Sequence, residues 1–490
     1  MKKTFIFEES GDERLDKFLV SKLKKYSRNQ IQNWIKNGQI SINGQVINTP
    51  HHWLDNNDEI ACVFDTKNQQ EDDKSNAPQI RILKVDRNFI VIDKPAGLAT
   101  HGSKNLQQSS AIQQLLEKYP NLEGIGDDPL RPGIVHRLDK MVSGLLVIAR
   151  TKKMFEHLKQ QFQNRSIKKH YIALAFGKPN KESGVINFKL ERSSDKKRMV
   201  AKPSNAESGK ESITEYELIK PYKHFSLLKI NLKSGRTHQI RAHFHAFGHA
   251  IVGDPLYKQK KYRSINLGRI FLHAQELEFT DLNGEPQKFY SKLPFELKMF
   301  LNEVNPNKNI LIVSGASGSG KSTIIIDVLK KHGELQLQTG ATYTTRAPRE
   351  IPEDKKILNV SKEEFEQLIR ENKVIEWALV HENYYGTARD VLESTIKNKN
   401  IILNIDIQGA LQIRDQYPEA WLIFIDAPLK DLEKRLRGRG SNTEEDIKIR
   451  LANASEEKSF SQYYDLVIEN KSGKMDKAVA ELVSFVKRLP

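Results

Sequence analysis

The 490-residue sequence holds a single cysteine, Cys62. No intrachain disulfide can form, which fits a reducing compartment. It has no apolar run near the ~20 residues that a membrane-spanning helix needs, so no membrane partner is expected. The start, Met1 to Phe7, runs straight into Glu8 and Glu9. That pattern reads as a strand and an acidic turn rather than a signal peptide, and the cytoplasm is the expected location. No internal repeat is visible. What the chain does have is cations: 78 Lys and Arg against 62 Asp and Glu, a net charge of +16. Such a field favours a polyanionic partner, although a lysine-rich surface used only for solubility gives the same number. The length exceeds one ordinary core and predicts two or three domains.

Three blocks and a linker follow from the pattern. Residues 1–65 read as two helices and a small sheet. Leu15, Phe18, Leu19 and Lys22 share one helical face, and Ser27 with Gln30 resembles a capping box. Ile31, Trp34 and Ile35 carry the second helix's stripe, and Gly38 ends it. Asn43-Gly44 between Ile42 and Val46 predicts a tight hairpin. Residues 66–78 have almost no apolar anchor and read as a linker. Residues 79–303 alternate strands, as in Leu228, Ile230 and Leu232 against Lys229, Asn231 and Lys233. Helices are few there, Ala111 to Lys118 and Met154 to Phe162 being the clearest. A mixed α+β domain on a largely antiparallel sheet is expected. Residues 307–490 begin with the fully apolar run Ile310 to Val313, and apolar strands recur at Asn400 to Ile405 and Trp421 to Ile425. Amphipathic helices lie between them, which predicts an α/β domain with a parallel sheet.

The first block carries Lys22, Lys24, Lys25, Arg28 and Lys36 on its helices. Such a face tracks phosphates with little sequence choice. The segments Arg14 to Phe18, Tyr26 to Ile31 and Ile40 to Gly44 resemble a small RNA-binding module shared by a ribosomal protein and several RNA-modifying enzymes.

In the second block, His136-Arg137-Leu138-Asp139 sits on a loop before Ser143-Gly144 and the apolar strand Leu145 to Ala149. A rigid scaffold presents catalytic groups at such places. The block resembles the RluA-type pseudouridine synthases. Further segments match in order: Val91 to Gly97, Lys169-His-Tyr171, Ser234 to Arg241, Gly253 to Tyr257 and Phe271 to Ala274. The resemblance implies isomerisation of uridine in RNA, with large-subunit rRNA as the expected RNA. It implies Asp139 as the catalytic carboxylate and Arg241 as its charged partner. It makes Tyr171 the ring that stacks on the target base, and Arg137 the residue that fills the gap left by a flipped uridine. No metal or cofactor is expected for this reaction. The aspartate's role stays open between attack on the sugar, attack on the ring, and removal of a sugar proton. One departure stands out: Met141-Val142 replaces the family's Asp-Thr. His238, His243, His245 and His249 raise the question of a metal. His243-x-His245 reads as two rings on one face of a strand, but no third ligand accompanies them, so packing or RNA contact is favoured.

In the third block, Gly315 to Ser322 satisfies the phosphate-loop pattern after a strand and before a helix. Backbone N–H groups would cradle phosphate, Lys321 would reach the β and γ oxygens, and Ser322 would hold Mg²⁺. That pattern alone does not choose among GTPase, ATPase and kinase. The downstream segments around Thr344 to Arg349, Glu376, Tyr385, Asp406 and Arg435 to Arg439 resemble guanylate kinases. The resemblance implies ATP with Mg²⁺, and GMP as acceptor. The ATP set is Gly315, Ser317, Gly318, Ser319, Gly320, Lys321, Ser322, Thr323, Arg435, Arg439, Arg450 and Asn470. The GMP set is Thr342, Arg346, Arg349, Glu376, Tyr385, Thr387 and Asp406. Two departures touch the acceptor half: the loop Glu350 to Val360 lacks the family's phosphate-binding tyrosine, and Asn404 replaces an aspartate. Three readings follow: phosphorylation of GMP, of another phosphorylated acceptor, or nucleotide binding without turnover.

Overall fold

The computed structural model describes residues 2–8, 13–23, 31–32, 34–35, 38–49, 52–63, 77–102, 109–195, 198–262, 264–347, 357–380, 382–438 and 443–490. The expectations for Ser27, Gln30, Lys24, Lys25, Arg28 and Lys36 lie outside the described residues. So do those for most of the linker, for Arg349, for Glu350 to Lys356 and for Arg439. The chain divides into two compact units, Met1–Ala77 and Pro78–Pro490.

In the first unit, Lys2–Ile6, Glu59–Val63, Ile40–Ile42 and Gln45–Val46 form an antiparallel sheet. The hairpin turns on Asn43 and Gly44, both at positive φ as a two-residue turn of this kind requires. Helix Leu15–Lys22 buries Leu15, Phe18 and Leu19 in the core. Its Asp16 is fully buried, and Arg14 and Gln32 satisfy it. Cys62 lies in the same core, where burial pushes its thiol up to about 12. A thiol so placed packs as a hydrophobe and does not react.

The second unit opens with a long mixed sheet. Among the described residues its order is Ser183–Asn187, Ile213–Pro221, Phe225–Leu232, Lys168–Phe176, Leu272–Thr280, Ser143–Ala149, Phe89–Lys94 and Arg81–Val85, with Pro286–Tyr290 added on Leu272–Thr280. Leu228, Ile230 and Leu232 are buried and Lys229 and Asn231 are not, as alternation requires. The pairing is antiparallel except at one place, where Ser143-Gly144 runs parallel to His273-Ala274. Gly144 has φ +120°, and a Cβ there would lie 2.2 Å from the Ala274 carbonyl oxygen. This close approach seats the strand that follows the Asp139 loop.

Residues 307–490 of the same unit, the third segment of the chain, hold a parallel sheet in the order Leu337–Thr339, Asn400–Asn404, Ile310–Ser314, Trp421–Asp426 and Leu466–Glu469. Beside it stands a smaller sheet of Ile357–Asn359, Thr342–Thr344, Asn383–Ala388 and Val374–Val380. Helix Phe295–Val304 ties the two halves of this unit. Its Leu297 and Leu301 belong to a core cluster with Ile172, Leu174 and Leu227. On its other side Met299 packs on the cluster built around the parallel sheet. Lys298, only 3% exposed, donates to Asp465 at 2.7 Å and to the Ala420 carbonyl at 2.8 Å. Asn302 and Asn305 both donate to Glu419, Phe295 packs on Trp421, and Arg414 lies 3.9 Å above the Tyr290 ring.

Replacing Gly144 by alanine is expected to destabilise the unit by roughly 2–6 kcal/mol. The sum combines about 1–3 for the strained backbone with about 1–3 for overpacking. Gly124, also at positive φ but with nothing near its missing Cβ, is the control. Thermal melts of the two variants check it; equal losses would contradict the close-approach account.

Candidate active sites

The Asp139 loop is held from below by the segment that follows Phe89–Lys94. Thr100 Oγ1 donates to the Leu138 carbonyl at 2.8 Å and accepts from the Leu138 N–H at 3.2 Å. The Gly97 N–H donates to the Lys140 carbonyl at 2.8 Å. Lys94, fully buried, donates to the carbonyls of Pro95, Leu98 and Lys140. Burial, with Arg269 adding, lowers its ammonium to about 7. The Val142 N–H closes a turn on the Asp139 carbonyl at 3.0 Å, and the Val142 side chain is buried. The Met141-Val142 departure therefore sits in a loop whose backbone bonds are made.

Asp139 faces helix Gln239–Ala246, which supplies Arg241. Arg241 Nη1 donates to Asp139 Oδ2 at 2.9 Å. Its other two donors go to Asp254: Nε to Oδ2 at 2.7 Å and Nη2 to Oδ1 at 3.0 Å. Asp254 is itself fixed by the N–H groups of Leu256 and Tyr257. The guanidinium also lies 5.1 Å from the centre of the Tyr257 ring. Arg241 is thus anchored bidentately on one buried carboxylate and presents one N–H to the other. His238, at φ +53°, caps this helix with Nε2 3.8 Å from Asp139 Oδ2. Tyr171 is buried on the strand beneath. Burial, with Asp139 adding, raises its hydroxyl well above the ordinary tyrosine value.

Asp139, Tyr171, His238 and Arg241 line a cavity of about 350 Å³ together with Arg131, Arg137, Arg165 and Arg236. All four of those arginines are exposed. The structure therefore brings Asp139, Arg137, Tyr171 and Arg241 into one cleft. Asp254 and Lys94 were missed in the sequence. Each lies inside a matched segment, but the contact that ties it to the site, with Lys140 or with Arg241, is made only in the fold. The histidine reading is corrected: residues 239–246 form a helix, so His243 and His245 do not share a strand face. His243 bonds the Phe188 carbonyl, His245 that of Lys258 and His249 that of Phe176. Among the described residues no cluster is arranged to hold a metal ion.

In the third segment, Gly315 at φ +140° lies against the Ile425 backbone, and the loop leads into helix Lys321–Lys331. Lys321 donates to the Gly315 and Ala316 carbonyls. Arg435 donates to the carbonyls of Gly318, Ser319 and Asn470, and Asn470 Nδ2 donates to the Ser319 carbonyl at 2.7 Å. Arg450 donates to Ser317 Oγ at 2.9 Å. Asn404 Nδ2 donates to Ser322 Oγ at 3.0 Å, and Thr323 is exposed on the same turn. Every described member of the ATP set is gathered at one loop.

The small sheet carries the other set. Glu376 Oε1 accepts from the Thr387 N–H at 2.9 Å and its hydroxyl at 2.6 Å. Thr342 pairs with Thr387 and Thr344 with Tyr385, next to Arg346. Asp406 caps its helix by accepting from Gly409, and a Cβ on Gly409 would meet Glu376 Oε2 at 2.3 Å. Burial pushes the Glu376 carboxyl up to about 7, with the Asp406 charge adding. Ser319 Oγ, Asn470 Oδ1 and Arg346 Nη2 are buried polar atoms with no partner among the described residues. Buried groups of this kind suit a polar ligand.

Replacing Arg241 by methionine leaves Asp254 buried without its counter-charge, and a loss of about 3–5 kcal/mol is expected. Asp139→Asn, which keeps the Arg241–Asp254 pair, is expected to cost under about 1 kcal/mol. Thermal unfolding of both variants checks this; similar losses would contradict the anchor.

Residues 88–246 match the family described as RNA pseudouridylate synthase, residues 13–60 the S4 domain, and residues 307–489 guanylate kinase. An uncharacterised RNA pseudouridine synthase of Chlorobaculum parvum is 33% identical over 310 residues, covering 59% of this chain and 94% of the relative. The ribosomal large subunit pseudouridine synthase D of Zymomonas mobilis is 32% identical over 301 residues, covering 60% of this chain and 94% of the relative. A solved guanylate kinase from Anaplasma phagocytophilum is 28% identical, covers 37% of this chain and 86% of its own, and has a TM-score of 0.30. The chain therefore belongs to the RNA pseudouridine synthases, with an S4 domain before the catalytic domain and a guanylate kinase domain after it.

Proposed function

We propose that the chain is a bifunctional enzyme that isomerises uridine to pseudouridine in large-subunit rRNA and phosphorylates GMP with ATP. The observation that carries the first activity is the Asp139–Arg241 contact at the floor of a cleft rimmed with exposed arginines. The exposed guanidiniums hold the RNA backbone, and the target base leaves its stack to reach the carboxylate. Arg137 stands at the cleft mouth, where it takes the vacated place in the stack. Tyr171 offers the base its ring. Arg241 aims Asp139 and, being locked to Asp254, does not follow it out.

The kinase reading is supported by the ATP set held at the phosphate loop and by the acceptor set carried on the small sheet and at the Asp406 cap. The loop N–H groups, Lys321, Arg435 and Arg450 suit a nucleoside triphosphate. Ser322 is the side chain suited to Mg²⁺, which neutralises phosphate charge when bound. Arg346 and Tyr385 suit the acceptor phosphate. Glu376 suits the N1 and N2 donors of guanine, with Thr342, Thr387 and Asp406 shaping that pocket.

In cells carrying Asp139→Ala, sequencing of rRNA is expected to show loss of at least one pseudouridine present in the wild type; an unchanged map would sink the synthase reading. For the kinase, the carboxylate form of Glu376 is the one that accepts from guanine. The KM for GMP is therefore expected to fall as pH rises through about 7 and to level off above it. A coupled ATP and GMP assay from about pH 5.5 to 8.5 reads it. Turnover only with a non-guanine acceptor would overturn the GMP assignment.

A further inference from the structure

Lys169 is a buried cation of the synthase cleft that takes no part in the Asp139–Arg241–Asp254 contacts. Strand Lys168–Phe176 alternates, so Lys168 and His170 face Glu278 and Glu276, while Lys169 and Tyr171 face the cavity. Lys169 is 8% exposed. Among the described residues its ammonium makes no hydrogen bond or ion pair; Nζ lies 5.0 Å from the centre of the Phe162 ring and beside Gly235, where an added Cβ would stand 3.7 Å from it. Asp139, the carboxylate in that cavity, is already engaged by Arg241. Burying a cation without an acceptor is costly and is rarely retained without a ligand to meet it.

Depth decides which ligand group that is. Arg131, Arg137, Arg165 and Arg236 are exposed at the rim, where RNA phosphates stay in water. Lys169 is instead buried in the cavity wall, two residues along the same strand face from Tyr171, the ring proposed to meet the flipped base. Breaking the C1′–N1 bond sends its electron pair onto the uracil ring, delocalised over N1, O2 and O4. The electron deficiency left at C1′ is met by the Asp139 carboxylate or by loss of the C2′ proton. Either way the detached ring is an anion until C5 bonds to C1′, the step at which the Asp139–C1′ bond breaks or C2′ regains its proton; C5 then loses its proton and N1 gains one, so the isomerisation balances. Resting on the synthase reading, we propose that the Lys169 ammonium hydrogen-bonds a uracil carbonyl oxygen and stabilises the negative charge that develops on the ring. Burial lowers this ammonium only to about 8, so it is largely charged at neutral pH. A fixed donor aimed at developing charge in a water-poor site acts on the rate rather than on binding.

The test uses the full chain, an in vitro transcript of large-subunit rRNA, and the variants Lys169→Met and Lys169→Arg. Single-turnover pseudouridine formation at saturating enzyme is expected to fall about 10²–10³-fold in the methionine variant. The arginine variant, which keeps the charge, is expected to recover part of that rate. RNA affinity should stay within about twofold, because the phosphate contacts are elsewhere. The melting temperature of Lys169→Met should hold or rise, because an unpaired buried charge has been removed. That outcome separates the role from a structural one. A wild-type rate in Lys169→Met overturns the assignment. So does lost affinity with an unchanged saturated rate, which marks a phosphate anchor. A wild-type chain that makes no pseudouridine overturns the synthase reading, and this assignment with it.

Discussion

The synthase site depends on one arginine held between two carboxylates. Arg241 spends two donors on the buried Asp254 and one on Asp139. Asp254 is in turn pinned by two backbone N–H groups, so the guanidinium has one orientation. The segments packed around the Asp139 loop hold that geometry. Lys94, Gly97 and Thr100 fix the Asp139 loop from the opposite side, and Gly144 lets the following strand press against Ala274. The carboxylate is therefore positioned by groups from four separate stretches of chain.

The kinase domain is not a loose appendage. Helix Phe295–Val304 lends Leu297 and Leu301 to one core and Met299 and Lys298 to the other. The Lys298–Asp465 pair is buried on both sides. Each candidate site sits on a loop joined to a buried strand: the Asp139 loop leads into Ser143–Ala149, and the glycine-rich turn at Gly315 to Gly320 leaves Ile310–Ser314.

Much of this was legible in the sequence because it is local. The phosphate loop, the hairpin at Asn43-Gly44 and the Asp139 loop are contiguous strings whose chemistry depends on order. Asp254, Lys94 and Lys169 were not legible as functional groups, since their meaning comes from partners or from a cavity that only folding assembles. The histidines show a different failure. His243-x-His245 suggested a strand, yet Ile240, Phe244 and Phe247 in the same stretch carry helical spacing, and the helix is what forms. The shared helix was missed because its two faces satisfy two different cores.

The two proposed activities use separate sites of one chain. The most direct measurement supplies the purified chain with rRNA labelled with tritium at uridine C5, and with ATP and GMP, and reads tritium release and ADP formation together. Asp139→Asn should abolish tritium release and leave ADP formation unchanged, and Lys321→Ala should do the reverse. Tritium release that survives Asp139→Asn, or ADP formation that survives Lys321→Ala, would contradict the account.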